Sequence, residues 1–222
     1  MRPLLIITLF LSTLPFAQAM NSLDLSDPQA KQMLDAVKNN ILSESSWTFD
    51  FELLVNFPQL DQEKIEGQLK QDGDKVRADL GSQLIISDGS TVWTYLKDFN
   101  EVQISHYEKE MSELFLSPAQ IVQIYESGEY RYQYSGSREY QNQMLDLIEF
   151  VPTEPGGSEF VKINLWLDMD SKVPTGVMIN ARNGTRYNLY IKDHRKGVNH
   201  SADVFTFNAD DYPGVEIDDL RF

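Results

Sequence analysis

The feature that most constrains the fold is a run from Trp47 to Phe57 in which every second residue is apolar. Side chains with a period of two lie on one side of a β-strand, whereas a helix needs a period of about 3.6. This segment therefore predicts a strand with one strongly apolar, mostly aromatic face. Its apolar positions are Trp47, Phe49, Phe51, Leu53, Val55 and Phe57.

Further short apolar runs follow, separated by Gly, Asp and Asn residues that favour turns. Asp88-Gly89 and Arg182-Asn183-Gly184 are tight-turn signals, and the residues around Phe205 and Phe207 predict a last short strand. The other predicted strands are Lys64 to Gln71, Lys75 to Leu80, Leu84 to Ser87, Thr91 to Leu96, Glu101 to Ser105, Tyr130 to Tyr134, Met144 to Val151, Phe160 to Leu167, Thr175 to Ala181 and Thr185 to Lys192.

Two segments depart from this pattern. Pro28 to Ile41 carries apolar residues at helical spacing after a Ser26/Asp27 cap, and Ser112 to Ser127 has a similar pattern that Gly128 ends. These segments predict two amphipathic helices beside a large antiparallel sheet that curls on itself.

The N-terminus resembles an export signal. Arg2 precedes an apolar run from Pro3 to Phe16, which ends in the small-residue motif Ala17-Gln18-Ala19. The alternative, a membrane anchor, is disfavoured because the run is short for a hydrocarbon core of roughly 30 Å. We expect cleavage after Ala19, with residues 20–222 forming a single exported domain.

Composition excludes several classes of function. Cleavage would leave 18 basic against 34 acidic side chains, a net charge of −16, which disfavours binding to nucleic acid and stable insertion into an anionic membrane. The chain has no cysteine, so it has no disulfide, no thiol nucleophile and no N-terminal cysteine to acylate.

No catalytic cluster is evident in the sequence. His106, His194 and His200 stand without a nucleophile or metal-ligand motif, and no cofactor fingerprint occurs. Asp168 and Asp170 lack the glycine and glutamate of a calcium loop, so they predict a hairpin turn. The chain is therefore expected to be a binding protein and not an enzyme. A secreted hydrolase that uses an acidic pair such as Asp168 and Asp170 is the alternative from another class.

The aromatic stripe of the first strand has two interpretations. Alternating Phe and Trp residues usually form ordinary core, but they can also line a ligand cavity. The concentration of apolar residues on one face, with only two modest helices to cover a sheet of some ten strands, favours the cavity.

Two blocks of the sequence are distinctive: Ile86 to Gly89 followed by Thr91 to Tyr95 and Asn100 to Val102, and the ending VFTFNADDYPGVEIDDLR, Val204 to Arg221. They resemble the central hairpin and the C-terminus of the periplasmic outer-membrane lipoprotein carrier family (LolA). Leu116 to Gly128 and Val173 to Ile191 are similar to the variant typical of Bacteroidetes-like sequences. The resemblance covers essentially the whole mature chain.

The resemblance implies a mainly β (α+β) fold, an incomplete antiparallel β-barrel of about 10–11 strands with a helical lid over an apolar cavity. It further implies a monomeric periplasmic protein without a cofactor. Such a carrier takes acylated lipoproteins from an inner-membrane ABC exporter and releases them to an outer-membrane acceptor. A carrier or sensor of another lipid with the same fold is the alternative.

Combined with the periodicity, the resemblance leads to a hypothesis for the site. The face chosen at Trp93 depends on strand register, because a slip of one residue reverses it. The expected cavity has one wall of Trp47, Phe49, Phe51, Leu53 and Val55 and another of Trp93 and Tyr95 or their alternating neighbours. The expected lid comprises Met33, Leu34, Val37, Leu114, Ile121 and Ile124.

One departure from the family concerns the lid. In well-known members an arginine after the early strands fastens the lid, whereas Lys70 to Leu80 places no arginine at that point. Arg77 is close in sequence but is expected to face the other way. Control of the lid therefore differs from the family pattern.

Overall fold

A computed structural model describes residues 26–107, 124–154 and 156–221, which form one α-helix and twelve strands. The helix, α1 (Pro28–Leu42), matches the prediction, and Asp27 caps its N-terminus by accepting from the backbone N–H of Gln29 at 2.8 Å. The strands are β1 (Ser46–Asn56), β2 (Glu63–Asp72), β3 (Lys75–Asp79), β4 (Gln83–Ser87), β5 (Thr91–Leu96), β6 (Glu101–His106), β7 (Tyr130–Tyr140), β8 (Gln143–Pro152), β9 (Phe160–Asp168), β10 (Val173–Ala181), β11 (Arg186–Lys196) and β12 (Glu216–Asp219).

All twelve strands belong to one sheet, in the order β12-β6-β5-β4-β3-β2-β1-β11-β10-β9-β8-β7. Strands that follow each other in sequence are mostly neighbours, and the pairing of β1 with β11 joins the two halves. Every pairing is antiparallel except that of β12 with β6. The sheet is not closed into a barrel, which confirms the predicted mainly β, incomplete-barrel class with twelve strands in place of 10–11.

The predicted strand around Phe205 and Phe207 is wrong. Residues Ala202–Phe205 form a 3-10 helix, and the last strand comes later as β12. The alternation at Phe205 and Phe207 has another cause. Phe205 is buried and meets the ring of His200 edge to face, while Phe207 stacks on Tyr212 at 4.7 Å.

The predicted second helix, Ser112 to Ser127, lies mostly outside the described residues. Its described end forms a short 3-10 helix, Ile124–Glu126. Gly128 follows with a φ of +76°, a conformation that glycine adopts without strain, as predicted for the end of a helix.

We call the side of the sheet on which α1 packs the inner face. The main hydrophobic cluster lies there, and α1 contributes Ala30, Leu34, Val37 and Ile41. β1 contributes Trp47 and Phe49, whose rings stack at 5.3 Å. The indole N–H of Trp47 donates to the carbonyl oxygen of Ile41 at 3.0 Å, so the end of the helix is tied to the start of the first strand.

The opposite side, the outer face, carries two smaller clusters. In the first, Leu84, Ile86, Tyr95 and Val102 pack under Phe207, Tyr212 and Val215 of the C-terminal arm, by which we mean residues 198–215. In the second, Leu145, Leu147 and Trp166 pack with Tyr140. The sheet is thus covered on parts of both faces, and a strand such as β4 is buried on both sides.

A glycine in β2 shows how closely β1 packs against its neighbours. Gly67 pairs with Phe51, and the ring of Phe51 lies over the position that a Cβ at residue 67 would occupy. The carbonyl oxygen of Asp79 also lies against that position. Any larger residue at 67 would therefore collide with backbone as well as with a side chain.

We predict that Gly67→Ala lowers the free energy of unfolding by about 1–3 kcal/mol, because the new methyl group overpacks this contact. Equilibrium denaturation in urea measures the change. The control is Gly156→Ala, since a Cβ at residue 156 meets no atom within 4 Å. Equal stability of the two variants would contradict the packing described for Phe51.

Candidate functional site

The inner face has a closed part and a half-open part. Trp47 and Phe49 are each only 2% exposed, and Val55 is 5% exposed, so these predicted wall residues are core side chains. Phe51 and Leu53, on the same face of the same strand, are only partly buried. The predicted wall residues of β1 therefore belong partly to the closed core and partly to the half-open surface.

The partly buried side chains continue across the neighbouring strands. Leu53 lies opposite Leu189 of β11 and Ile65 of β2, and Phe51 lies opposite Ile191. Directly opposed residues of antiparallel strands share a face of the sheet. We call this patch the apolar trough; its members are Phe51, Leu53, Ile65, Leu189 and Ile191, all of them partly buried.

The trough lies where α1 does not reach. The helix contacts β7 and β10, so it crosses the half of the sheet that runs from β7 to β11. At its start, the backbone N–H of Asp27 donates to the carbonyl oxygen of Tyr132 at 3.0 Å. At its end, the amide of Asn40 donates to the carbonyl oxygens of Ser171 and Lys172 at 3.2 and 2.9 Å. Both ends of the helix are therefore fixed to the same half of the sheet.

Trp93 and Tyr95 do not belong to this face. Both pack in the outer cluster, where the ring of Tyr95 lies 4.4 Å from that of Tyr212. Their neighbour Val92 is the residue of β5 that joins the inner cluster. The prediction that Trp93 and Tyr95 line the same cavity as Trp47 is wrong by one residue of register, because the C-terminal arm offers an aromatic partner on the outer face.

The predicted lid residues of the helix do point to the sheet. Leu34 and Val37 are fully buried, and Met33 is partly buried against the same cluster. Ile124 also packs there, whereas Leu114 and Ile121 lie outside the described residues.

The helix is also joined to the segment that holds Ile124. The hydroxyl of Tyr125 donates to the carboxylate of Asp35, and the ammonium of Lys38 lies 2.6 Å from the carboxylate of Glu126. Lys31 bonds Asp35 at 2.8 Å and lies over the ring of Tyr125. We call these five residues the helix latch.

The latch and the helix cap both depend on ionised carboxylates. Hydrogen bonds from Lys31 and then Tyr125 lower the pKa of Asp35. The pKa of Asp27 is lowered by the backbone N–H groups of Tyr134 and Gln29, of which the first comes from β7. Burial, together with the Asp35 carboxylate, raises the pKa of Tyr125, which therefore remains a hydroxyl donor.

Arg77 takes no part in fastening the helix. Its guanidinium Nη1 donates to the carbonyl oxygen of Val204 at 3.3 Å, on the outer face. Asp27, Asn40 and the helix latch perform the fastening instead. The cap at Asp27 follows from local sequence, but the bonds from β7 and from the 171–172 turn depend on distant segments and have no local signal.

The remaining polar candidates have structural contacts. The carboxylate of Asp168 accepts from the backbone N–H of Asp170 at 2.9 Å and from the hydroxyl of Ser171 at 2.7 Å, as expected for a hairpin turn. His194 lies beside the Trp47 ring, and His200 lies 3.3 Å from the hydroxyl of Thr48. Among residues 26–107, 124–154 and 156–221, no three acidic or histidine side chains gather as a metal site.

No helix within the described ranges is both long and apolar enough to span a bilayer.

We predict that acid loosens α1. The folded-state pKa values of Asp27 and Asp35 lie below the ordinary carboxyl value, so their stabilisation is present above that value and is lost as the pH falls through the folded one. As the pH falls from about 7 to about 2, hydrogen exchange in residues 28–42 should accelerate more than in β8 and β9, with most of the change below the ordinary carboxyl pKa of about 4 and after correction for the intrinsic rate.

The control for this prediction is the double variant Asp27→Asn, Asp35→Asn. Asparagine is a good helix cap but does not titrate, so α1 should remain formed and lose most of its pH dependence. The same pH dependence in both proteins would show that these two carboxylates do not control the helix.

Solved structures resemble this architecture at low sequence identity. An uncharacterised conserved protein from Thermus thermophilus is 12% identical, with a TM-score of 0.56 over 86% of this chain and 99% of that one. A LolA superfamily protein from Nitrosomonas europaea is 13% identical, with a TM-score of 0.43 over 80% and 97% of the two chains. Lipoprotein LppX from Mycobacterium tuberculosis is 12% identical, with a TM-score of 0.48 over 79% and 100%.

Comparison of the sequence itself gives the family. No curated protein matches the sequence of the chain. The family model described as outer membrane lipoprotein carrier protein LolA matches residues 54–208, which is more than half of the chain. The chain therefore belongs to the LolA family of outer membrane lipoprotein carrier proteins.

Proposed function

We propose that this protein is an exported periplasmic carrier that binds the acyl chains of lipoproteins along the apolar trough. In this proposal it receives them from an inner-membrane ABC exporter and releases them to an acceptor at the outer membrane, without catalysis. The observation that carries the proposal is the row of partly buried aliphatic and aromatic side chains on β1, β2 and β11, beyond the strands that α1 contacts.

The energetics of acyl chains favour such a site. Moving one methylene from water into an apolar site contributes about 0.8 kcal/mol, so a chain of roughly 15 methylenes contributes on the order of 12 kcal/mol before ordering costs. Free acyl chains are therefore scarce in water, and a lipoprotein needs a carrier. The carrier must also release its cargo, which a partly exposed trough permits more readily than an enclosed slot.

The helix supplies the movable part of this proposal. Its apolar side is buried, and its outward side is held by the helix latch, whose two ion pairs are partly exposed and whose Tyr125 ring is buried. Exposed ion pairs contribute little, typically about 0–1 kcal/mol each. Movement of α1 would therefore require separation of the latch, of the anchors at Asp27 and Asn40 and of part of the buried apolar side together.

Two adjacent leucines of β1 provide a matched test of the site. Leu53 belongs to the trough, whereas Leu54 lies opposite Lys64 and Asn188 on the outer face, and both are partly buried. We predict that Leu53→Glu weakens binding of a long-chain fluorescent fatty acid by about tenfold or more, because a carboxylate in an apolar site costs several kcal/mol. Leu54→Glu should bind within about twofold of the unchanged protein.

Fluorescence titration measures both affinities, and circular dichroism checks that both variants fold. Leu53 is preferred to Phe51 because the Phe51 ring also packs on Gly67 and its removal would disturb the sheet. If Leu53→Glu folds and binds the probe as tightly as Leu54→Glu, the trough is not the acyl site.

The cargo is tested by mass spectrometry of lipid that copurifies with the protein from its native host. We predict a triacylated peptide, since an acylated lipoprotein is the proposed cargo. A free glycolipid or phospholipid in its place would indicate a carrier or sensor of another lipid. Hydrolysis of an ester substrate that is lost in Asp168→Asn would indicate the secreted hydrolase.

A further inference from the structure

A second concave site lies on the outer face, away from the trough. It is a groove of about 610 Å³ between the strands β2, β3 and β4 and the C-terminal arm. An adjoining hollow of about 530 Å³ extends it over β2 and β3, and the two share Lys70 and Arg77. The groove is lined by Lys70, Arg77, Ile86, Asp203, Val204, Thr206, Phe207, Asn208, Asp211 and Tyr212.

Two cations form one side of this groove. Lys70 and Arg77 lie directly opposite each other on β2 and β3, and like charges in that arrangement destabilise a sheet. No carboxylate of a described residue pairs with either of them. Two acidic neighbours on their strands are engaged elsewhere, Glu66 with Lys64 at 2.8 Å and Asp79 with Lys97 at 2.7 Å, while Asp72 of β2 lies opposite Lys75 without an ion pair to Lys70.

The two cations differ in their other contacts. Arg77 holds the arm through the carbonyl oxygen of Val204. Lys70 is partly buried, and no hydrogen bond of its side chain reaches any described residue. A partly buried ammonium without a partner, in a protein of net charge −15, is ready to bind an anionic group from outside.

The other side of the groove is acidic and aromatic. Asp203 and Asp211 line it, and neither forms an ion pair with a described residue. A hydrogen bond from Ser201 lowers the pKa of Asp203, which keeps that carboxylate ionised. The rings of Phe207 and Tyr212 stack at 4.7 Å beside them. Carboxylates together with an aromatic ring suit an ammonium group.

We propose that the groove binds a zwitterionic phosphoester, with its phosphate on Lys70 and Arg77 and its ammonium beside Asp203, Asp211 and the Tyr212 ring. A simple anion would meet the two cations but would be repelled by the two carboxylates. A simple amine would bind to the two carboxylates but would be repelled by the two cations. Only a ligand that carries both charges satisfies both sides of the groove. The site lies on the opposite face from the trough, so it does not depend on the acyl-binding role.

The first test compares three probes by isothermal calorimetry on the whole protein: O-phosphoethanolamine, inorganic phosphate and ethanolamine. O-phosphoethanolamine should bind about tenfold or more tightly than either other probe, since each of them makes only half of the charged contacts. Equal binding of inorganic phosphate and O-phosphoethanolamine would overturn the proposal, as would no binding of O-phosphoethanolamine.

Matched variants test which residues of the groove contact the ligand. Lys70→Gln should weaken binding of O-phosphoethanolamine by about tenfold, the loss of one charge-assisted contact. Lys75→Gln, on the adjacent strand, should not, because Lys75 is exposed and lies outside the groove. Asp211→Asn should weaken binding of O-phosphoethanolamine but not of inorganic phosphate. Unchanged affinity in Lys70→Gln, with circular dichroism showing a folded protein, would place the ligand elsewhere.

Binding to vesicles distinguishes a lipid headgroup from a soluble phosphoester as the source of the ligand. If flotation with phosphatidylethanolamine vesicles carries the protein along and Lys70→Gln abolishes this, the ligand is a lipid headgroup. If only free O-phosphoethanolamine binds, the ligand is a soluble phosphoester. Binding of the fatty acid probe to the trough should be unchanged in Lys70→Gln, so failure of this site is distinguishable from failure of the carrier function.

Discussion

The packing of α1 on one half of the inner face determines the rest of the structure. The helix is fixed at one end by Asp27 to β7 and at the other by Asn40 to the turn before β10. Between these anchors its apolar side completes a core with Trp47, Phe49 and the strands β7 to β10. The same cluster includes Leu69, Ala78, Ile85 and Val92 on β2 to β5, so the inner face is buried on both sides of the trough. The residues of the trough between them remain partly exposed.

The open sheet gives the protein two different faces. The inner face combines a closed core with a half-open apolar surface, which suits hydrocarbon. The C-terminal arm covers the outer face over the first outer cluster. Between the arm and strands β2, β3 and β4 lies a polar groove with charges of both signs. The two sites share strand β2 but not side chains, since alternate residues of a strand point to opposite faces. One strand can therefore serve two kinds of ligand independently.

The sequence predicted most of the secondary structure because periodicity is a local property. Alternation located eleven strands and helical spacing located α1, although β7 and β11 extend to Tyr140 and Lys196, beyond the predicted ends at Tyr134 and Lys192. Two predictions failed because tertiary contacts, and not local periodicity, determine the structure at those positions. Phe205 and Phe207 alternate because each anchors the arm to the outer face, and Trp93 faces outward because the arm supplies its partners. The division of β1 into core and trough depends on where a helix ends in space, which no spacing within β1 encodes.

The central claim is that acyl chains lie in the trough and not in the closed core. Methyl-selective NMR during titration with a long-chain acyl ligand tests this directly. Shifts are expected at the methyl groups of Leu53, Leu189 and Ile191, with little change at the fully buried Leu165 and Leu167 or at Leu84 on the outer face. Shifts at Leu165 and Leu167, or at Leu84 and its outer neighbours, without shifts in the trough would contradict this claim.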